Sequence, residues 1–307
     1  MKILTYIAEF DGVRTNIISF QAKKSWETLI DTATVNTVDE VKEGTEVKLY
    51  GGYNTYDLIF SGIVTKSEKK ENTYELNCED NNTLLKNETV TLSFKGGSLK
   101  ELLSQAGINA EINIKATLGK YRFVDTSKLE ILNNLKKQGI QSFLRNDNLI
   151  VGVPYLDVKN SALFTFYGKK NEVISNNIQK TSVDLKKLVI QGINIKSDNT
   201  KESLYCYWKN DKIEFSKTKP KGQIKTLYFY DLSESKIKDR LSNYITQKIS
   251  KGITGTFDTF VHKLISPEYT LTLNFENETK KVLVKSVEYS FGTDGGKQKI
   301  EIDYEIS

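Results

Sequence analysis

Between Ser98 and Gly139 the chain spells out the beginning and end of two short helices, and these fix where a small α/β unit can lie. Ser98 and Ser127 each stand three residues before a glutamate, Glu101 and Glu130. Each can therefore form a capping box, in which serine hydroxyl and glutamate carboxylate take up backbone N–H groups that a helix start leaves unpaired. Gly107 and Gly139 stand where a chain leaves a helix in the left-handed conformation, which glycine adopts without steric cost. Leu99, Leu102, Leu103 and Ala106 recur at i, i+3, i+4 and i+7 and form one apolar face that needs a partner. The expected partner is a hairpin of Phe143–Leu144 and Leu149–Val153 around the turn Asn146-Asp147-Asn148.

On either side the pattern is β. Residues 2–10 and 13–24 alternate around Asp11-Gly12, a hairpin signal. Ser25–Ile30 reads as one helical turn and Thr32–Val35 as a strand. Glu46–Tyr50 alternates strictly and closes on Gly51-Gly52. Asp57–Val64 is a more apolar strand, Lys66–Asn72 a charged turn, and Thr73–Cys78 the return. Short strands at this spacing indicate a barrel or sandwich.

The second half repeats the style, with strands expected at 162–167, 187–195, 203–208, 212–215 and 224–230. A long helix follows from Ser233 to Lys251, with Ile237, Leu241, Tyr244, Ile245 and Ile249 as its apolar stripe. Glu234 lies in its first turn and Lys248 and Lys251 in its last, the ends that the helix dipole favours, and Gly252 ends it. Strands at 255–261, 269–275, 281–291 and 298–304 close the chain, the last two around the Gly292–Gly296 loop. The hairpin of Ser61–Val64 and Tyr74–Cys78 has an echo in Val282–Ser290 and Gln298–Glu305. The expected fold is mainly β (α+β), with two β domains of similar design, 1–95 and 159–307, around a central α/β unit, 96–158.

Composition narrows the function more by what it withholds. A chain of 307 residues has ample length for a packed core in two or three domains. No apolar run is long enough to span a bilayer, and Glu9 and Asp11 interrupt any leader-like start, so a soluble, cytoplasmically made protein is expected. The net charge of +5 comes from lysines interleaved with 39 acids, which suits solvation better than phosphate recognition. The densest basic stretch, Ser216–Lys225, carries no aromatic residue for stacking on bases and reads as a solvated loop.

Catalytic chemistry is scarce. The single histidine, His262, has no neighbouring thiol or second imidazole, so it reads as a strand-end residue and not a zinc ligand. Cys78 and Cys206 sit inside strand-like runs and read as small buried hydrophobes. Glu79-Asp80 before Asn81-Asn82 lacks the spacing of a calcium loop and reads as an Asx turn. No nucleophile elbow or phosphate-cradling loop is present, so no catalytic, cofactor or metal residue is assigned and an enzyme is not expected.

The order of motifs resembles the late control protein D family of bacteriophage tail hub proteins, in the form found in phages and prophages of Bacteroidota. The stretches that carry it are Lys24–Val35, Phe60–Ile63, Leu76–Asp80 leading into Leu84–Lys86, Ser98–Leu103 and the helix 128–139. They continue through Asn148–Tyr155, Asn171–Asn177, Ile224–Tyr230, Gly252–Phe260 and Val282–Gly292. Where relatives carry a His-Gly-Asp turn, this chain has Ile265-Ser-Pro-Glu268. The resemblance implies two tail-tube-like domains per chain and a homotrimer forming a pseudo-sixfold ring, with the central unit on its outside. The ring would join a tail tube or distal tail protein to a spike or tail-tip protein in the virion. DNA would pass through the lumen without sequence-specific binding. Hubs of the VgrG type share this core, so an injection device is a near neighbour. Two rivals remain: a hub with cell-wall-degrading activity, and a glycan-binding tail-fibre module.

Overall fold

The computed structural model describes residues 3–145, 148–152, 161–167, 172–181, 188–210, 212–248, 252–267 and 269–305. Seven strands come first: β1 (Leu4–Phe10), β2 (Val13–Thr15), β3 (Ser19–Ser25), β4 (Thr32–Thr37), β5 (Glu46–Tyr53), β6 (Asp57–Lys70) and β7 (Thr73–Asp80). A 3-10 segment, Asn81–Lys86, leads to β8 (Thr89–Phe94), β9 (Gly97–Ser98), α1 (Leu99–Gln105), β10 (Glu111–Ile112) and β11 (Thr117–Leu118). Next are β12 (Tyr121–Ser127), α2 (Lys128–Lys136), β13 (Gln141–Arg145), β14 (Asn148–Gly152), β15 (Ser161–Thr165) and β16 (Val173–Thr181). The chain continues through β17 (Leu188–Ile195), β18 (Lys201–Lys209), β19 (Lys212–Ser216), β20 (Gln223–Tyr230) and α3 (Glu234–Lys248). It closes with β21 (Gly252–Phe260), β22 (Thr270–Asn274), β23 (Thr279–Gly292) and β24 (Gly295–Glu305). The protein is mainly β, with mostly antiparallel strand pairing.

These elements form two compact units. The first gathers residues 1–84, 154–180 and 252–307, and the second 85–153 and 181–251. The grouping differs from the expected cut at 95 and 158: residues 181–251 go with 85–153 instead of with the C-terminal strands.

The first unit is built on one thirteen-stranded sheet whose main path runs β16-β21-β24-β23-β3-β4-β7-β6-β5-β1-β2, with β22 joining β15 to β23. Its halves have the same wiring. In the first, β5 pairs β6, β6 pairs β7, and β7 pairs β4. In the second, β22 pairs β23, β23 pairs β24, and β24 pairs β21. The registers correspond as well. Leu49↔Phe60 matches Leu271↔Val282, a shift of 222 for both residues. The same shift carries Lys70↔Thr73 onto Gly292↔Gly295, Ser67↔Leu76 onto Tyr289↔Gln298, and Gly62↔Asp80 onto Val284↔Ile302. The halves depart at their first strands: β1 runs antiparallel to β5, whereas β15 runs parallel to β22. The two halves meet where β3 pairs β23, from Ser25↔Ser286 to Phe20↔Phe291. Both inner faces share one core that includes Phe20, Phe60, Leu271 and Phe291.

In the second unit the expected caps are present. The Ser98 hydroxyl accepts from Glu101 N, and the Glu101 carboxylate accepts from Ser98 N at 2.7 Å, completing the capping box. The Ser127 hydroxyl accepts from Glu130 N. Gly107 and Gly139 have φ of +63° and +78°. The amides that follow them, Ile108 N and Ile140 N, close back on Leu103 O and Leu135 O in the Schellman manner. The hairpin β13–β14 forms as expected, with residues 146–147 and 153 outside the described part. β17 to β20 make a four-stranded sheet in the order β19-β18-β17-β20. α3 buries Ile237, Leu241 and Ile245 in a cluster with Ile190, Cys206 and Phe229 from that sheet. The Arg240 guanidinium donates from Nη2 to Gln138 O at 2.7 Å, and Tyr228 N donates to Lys137 O, tying residues 181–251 to the end of α2.

Local expectations fail where side-chain polarity misled. Lys66–Lys70 is not a turn: β6 continues through it, and only Glu71-Asn72 turns, with Glu71 at φ +51°. A strand bordered by solvent accepts charged side chains because its ladder is made by the backbone. Gly51 and Gly52 lie inside β5 and do not end it, and a Cβ on Gly51 would sit 2.5 Å from the Phe291 ring. Ser25–Ile30 holds turns and bends but no helix. The described part of α3 ends at Lys248, and Gly252 opens β21. Ile249 and Lys251 lie outside the described residues.

Candidate assembly surface

The residues that could carry chemistry are scattered and engaged in structure. Cys78 and Cys206 are free and buried, and burial pushes both thiols up to about 12, which disfavours the thiolate. His262 is exposed just after β21, its ring edge-on to Tyr53 at 4.8 Å and near Phe260. Asp80 is buried and accepts from Asp31 N at 2.6 Å and Asn82 N at 2.7 Å. Asn82 in turn donates to Leu29 O at 2.8 Å. This set anchors the 26–31 loop and starts the 3-10 segment, the Asx-type role expected of it. Burial raises the Asp80 carboxyl to about 6, against the two backbone bonds that favour its ionised form. The Ser216–Lys225 stretch is largely an exposed loop from which Lys217 reaches Glu234. Among the described residues no cluster of three or more His, Cys, Asp or Glu could hold a metal ion. No helix among them is long and apolar enough to cross a membrane.

What stands out is the surface of the first unit. Among the described residues thirteen large apolar side chains are exposed, and all but Val124 belong to this unit, among them Val13, Tyr56, Leu58, Ile174 and Phe260. Scattered exposed apolar residues are ordinary, and their concentration in one of two units of comparable length makes this unit's surface the candidate for contacts. Open strand edges belong to the same unit. β16 ends the main path of the sheet. β6 has β7 along one side from residue 62 to 70, while on the other side β5 covers only residues 57–63. Among the described residues, 65–70 therefore have a ladder on one side only. Such an edge presents backbone donors and acceptors that favour pairing with another strand.

The β3–β23 junction shows how this unit completes such an edge. β22 pairs residues 279–283 of β23, and β3 takes residues 286–291 on the same strand. Phe20 of β3 stacks on Phe291 at 4.7 Å. Lys285 bridges Glu27 at 3.1 Å and Glu301 at 2.9 Å, clasping the chain just beyond β3 to β23 and β24. Burial works against the Lys285 charge, but the hydrogen bonds to Glu301 and Glu27 outweigh it and hold its pKa above the usual lysine value. A cleft of about 500 Å³ beside this junction is lined by groups such as Ser19, Gln21, Thr34, Asn36 and Glu75, with no histidine or thiol among its residues.

No protein-family profile and no curated protein matches this sequence. Solved structures do match. The fold is similar to that of a tail protein from Neisseria meningitidis, with a TM-score of 0.71 at 12% identity over 99% of this chain and 97% of that one. It is similar to a 43 kDa tail protein of a Shewanella oneidensis prophage, with a TM-score of 0.69 at 12% identity over 98% of each chain. An Escherichia coli component of the type VI secretion system matches with a TM-score of 0.60 at 10% identity, over 99% of this chain and 77% of that one. The chain thus has the fold of phage tail proteins, and this similarity extends over nearly its whole length.

Proposed function

We propose that this protein is a structural tail hub: three copies close a pseudo-sixfold ring that joins a tail tube to a tail tip or spike. Residues 1–84 form one tube-like β domain in this reading, and residues 154–180 with 252–307 the other. The observation that carries the proposal is the internal repeat. Two halves with the same strand wiring and a register shift of 222 residues give each chain two near-equivalent subunits of a ring. Three such chains present six similar faces to a sixfold tube while keeping a true threefold axis for a spike. The fold shared with phage tail proteins supports the same reading.

In this reading the protein works by assembly and not by catalysis. It resides in the virion, and the genome passes through its lumen without base recognition. The same architecture would serve as the hub of a phage-derived injection device, a second reading favoured by the fold shared with the type VI component. Averaged electron micrographs of the purified protein test the proposal. A ring of six lobes with threefold symmetry and a lumen wide enough for duplex DNA is the expected image. Compact single particles at high concentration would refute it. Release of soluble fragments from peptidoglycan would instead favour a cell-wall-degrading hub.

A further inference from the structure

The net charge of +5 is divided unequally between the two units. The second unit holds 25 lysines and arginines against 14 acids, whereas the first holds 19 against 25. Within the second unit, basic residues crowd one edge of the four-stranded sheet. From β19 through the loop that follows, Lys212, Lys217, Lys219, Lys221 and Lys225 are all exposed, and Glu214 is the one acid in that stretch. Lys217 reaches Glu234, but Lys212, Lys219, Lys221 and Lys225 make no ion pair with a described residue. Lys212 lies opposite Lys209 across the β18–β19 ladder, where like charges repel. Glu214 reaches Lys209 at 3.7 Å and accepts from Tyr207 Oη at 3.2 Å, which leaves Lys212 without a counter-charge. The same edge is open. At the far end of the sheet β20 is covered: Tyr228 N donates to Lys137 O at 3.1 Å, and Gly119 lies against Tyr230 O. β19 pairs β18 on one side and, among the described residues, no strand on the other. Ile213 and Phe215 pack against the α3 core at this edge and are only half-buried.

We infer that β19 takes up an extended acidic segment of another protein as a fifth strand of this sheet. The backbone of that segment completes the ladder on the open side of β19, and its side chains select it. Alternate side chains of an added strand point to opposite faces. Apolar ones cover Ile213 and Phe215, while carboxylates lie on the other face beside Lys212. The loop lysines 217, 219, 221 and 225 carry the attraction beyond the strand itself. Charge also rejects the wrong partner. β19 of a second copy brings its own lysines, whereas an acidic strand relieves the repulsion between Lys209 and Lys212. Nucleic acid suits the surface less well. Residues 212–225 include no arginine to fork a phosphate, and their one aromatic ring, Phe215, packs against the α3 core. Nothing in this contact needs the ring, since β19 belongs to the second unit.

Fluorescence anisotropy of the intact chain with a labelled peptide of alternating glutamate and valine tests this. The peptide should bind, and more weakly as salt rises. Two control peptides should not bind: one with lysine in place of glutamate, and one N-methylated throughout, which lacks the backbone donors that a ladder needs. Lys219→Glu, Lys221→Glu and Lys225→Glu together, at exposed positions, should weaken binding about tenfold or more. Hydrogen exchange of the 212–216 backbone should slow about tenfold on adding the peptide, which separates strand addition from attraction by charge alone. Binding that survives backbone methylation, or exchange at 212–216 that the peptide leaves unmoved, would overturn strand addition. No binding even at low salt would overturn it as well. A short DNA duplex that binds more tightly than the peptide, and that the same three substitutions release, would assign these lysines to nucleic acid instead.

Discussion

The two units solve the problem of a β surface differently. The second buries its apolar residues within itself: α3 covers the β17–β20 sheet with Leu241 and Ile245, both fully buried, and Val124 is its one exposed large hydrophobic among the described residues. The first buries one large shared core and, among the described residues, still shows solvent twelve such side chains together with open strand edges. In the reading proposed above, unit two is finished as a folded body, whereas unit one is the part that meets its neighbours in the ring. Both insertions that build unit two, residues 85–153 and 181–251, leave the repeated wiring of unit one intact. The second of them stands between β16 and β21, where the first repeat has only the short connection from Ser25 to Thr32 between β3 and β4.

Substitutions can break this comparison. The largest effect is expected from Leu241→Asp, which places an unpaired charge in the core of unit two and should cost about 4 kcal/mol. A melting temperature equal to that of the parent would show that α3 does not seal that sheet. Gly119→Ala comes next. A Cβ there would lie 1.3 Å from the Tyr230 carbonyl oxygen, so backbone must move, at a cost of about 3 kcal/mol in chemical denaturation. A midpoint unchanged by this methyl would mean that the close approach is absent.

Asp80 gives unit one a pH signature of its own. With its carboxyl raised to about 6, the folded chain takes up a proton that an unfolded chain, near 3.8, does not yet bind. This group therefore adds stability as pH falls from about 6 to 4, by roughly 2 kcal/mol. Asp80→Asn should flatten that part of the stability profile, and an unaltered slope would count against a buried, raised carboxyl. Ser98→Ala should cost only about 1 kcal/mol, the loss of one helix cap in unit two, read from the same denaturation curves.

How much of this was legible in the sequence depended on range. The capped helices, the Asp11-Gly12 hairpin with φ of +47° and +82°, and most strand cores are local features that residue chemistry specifies. The long hairpins β6–β7 and β23–β24 were visible as an echo because each closes through a two-residue loop. β16 was not read as a strand: Asn176 and Asn177 favour turns by propensity, and here a neighbouring strand outweighs them. The grouping into units was not legible either. It depends on pairings such as Ser25↔Ser286, between residues that no local pattern connects. Burial is a property of the whole fold too: Phe60 is in the core of unit one, while Tyr228 is half-buried in unit two.

The central claim, that unit one is a ring segment, is tested most directly by sedimentation velocity of the intact chain across a salt and dilution series. The account predicts a species of about 105 kDa, three times the 34.9 kDa chain, at moderate salt. That species should dissociate on dilution at high salt, since contacts made from strand edges and lysine–carboxylate pairs are partly screened. A single species of 34.9 kDa at high concentration and low salt would contradict it.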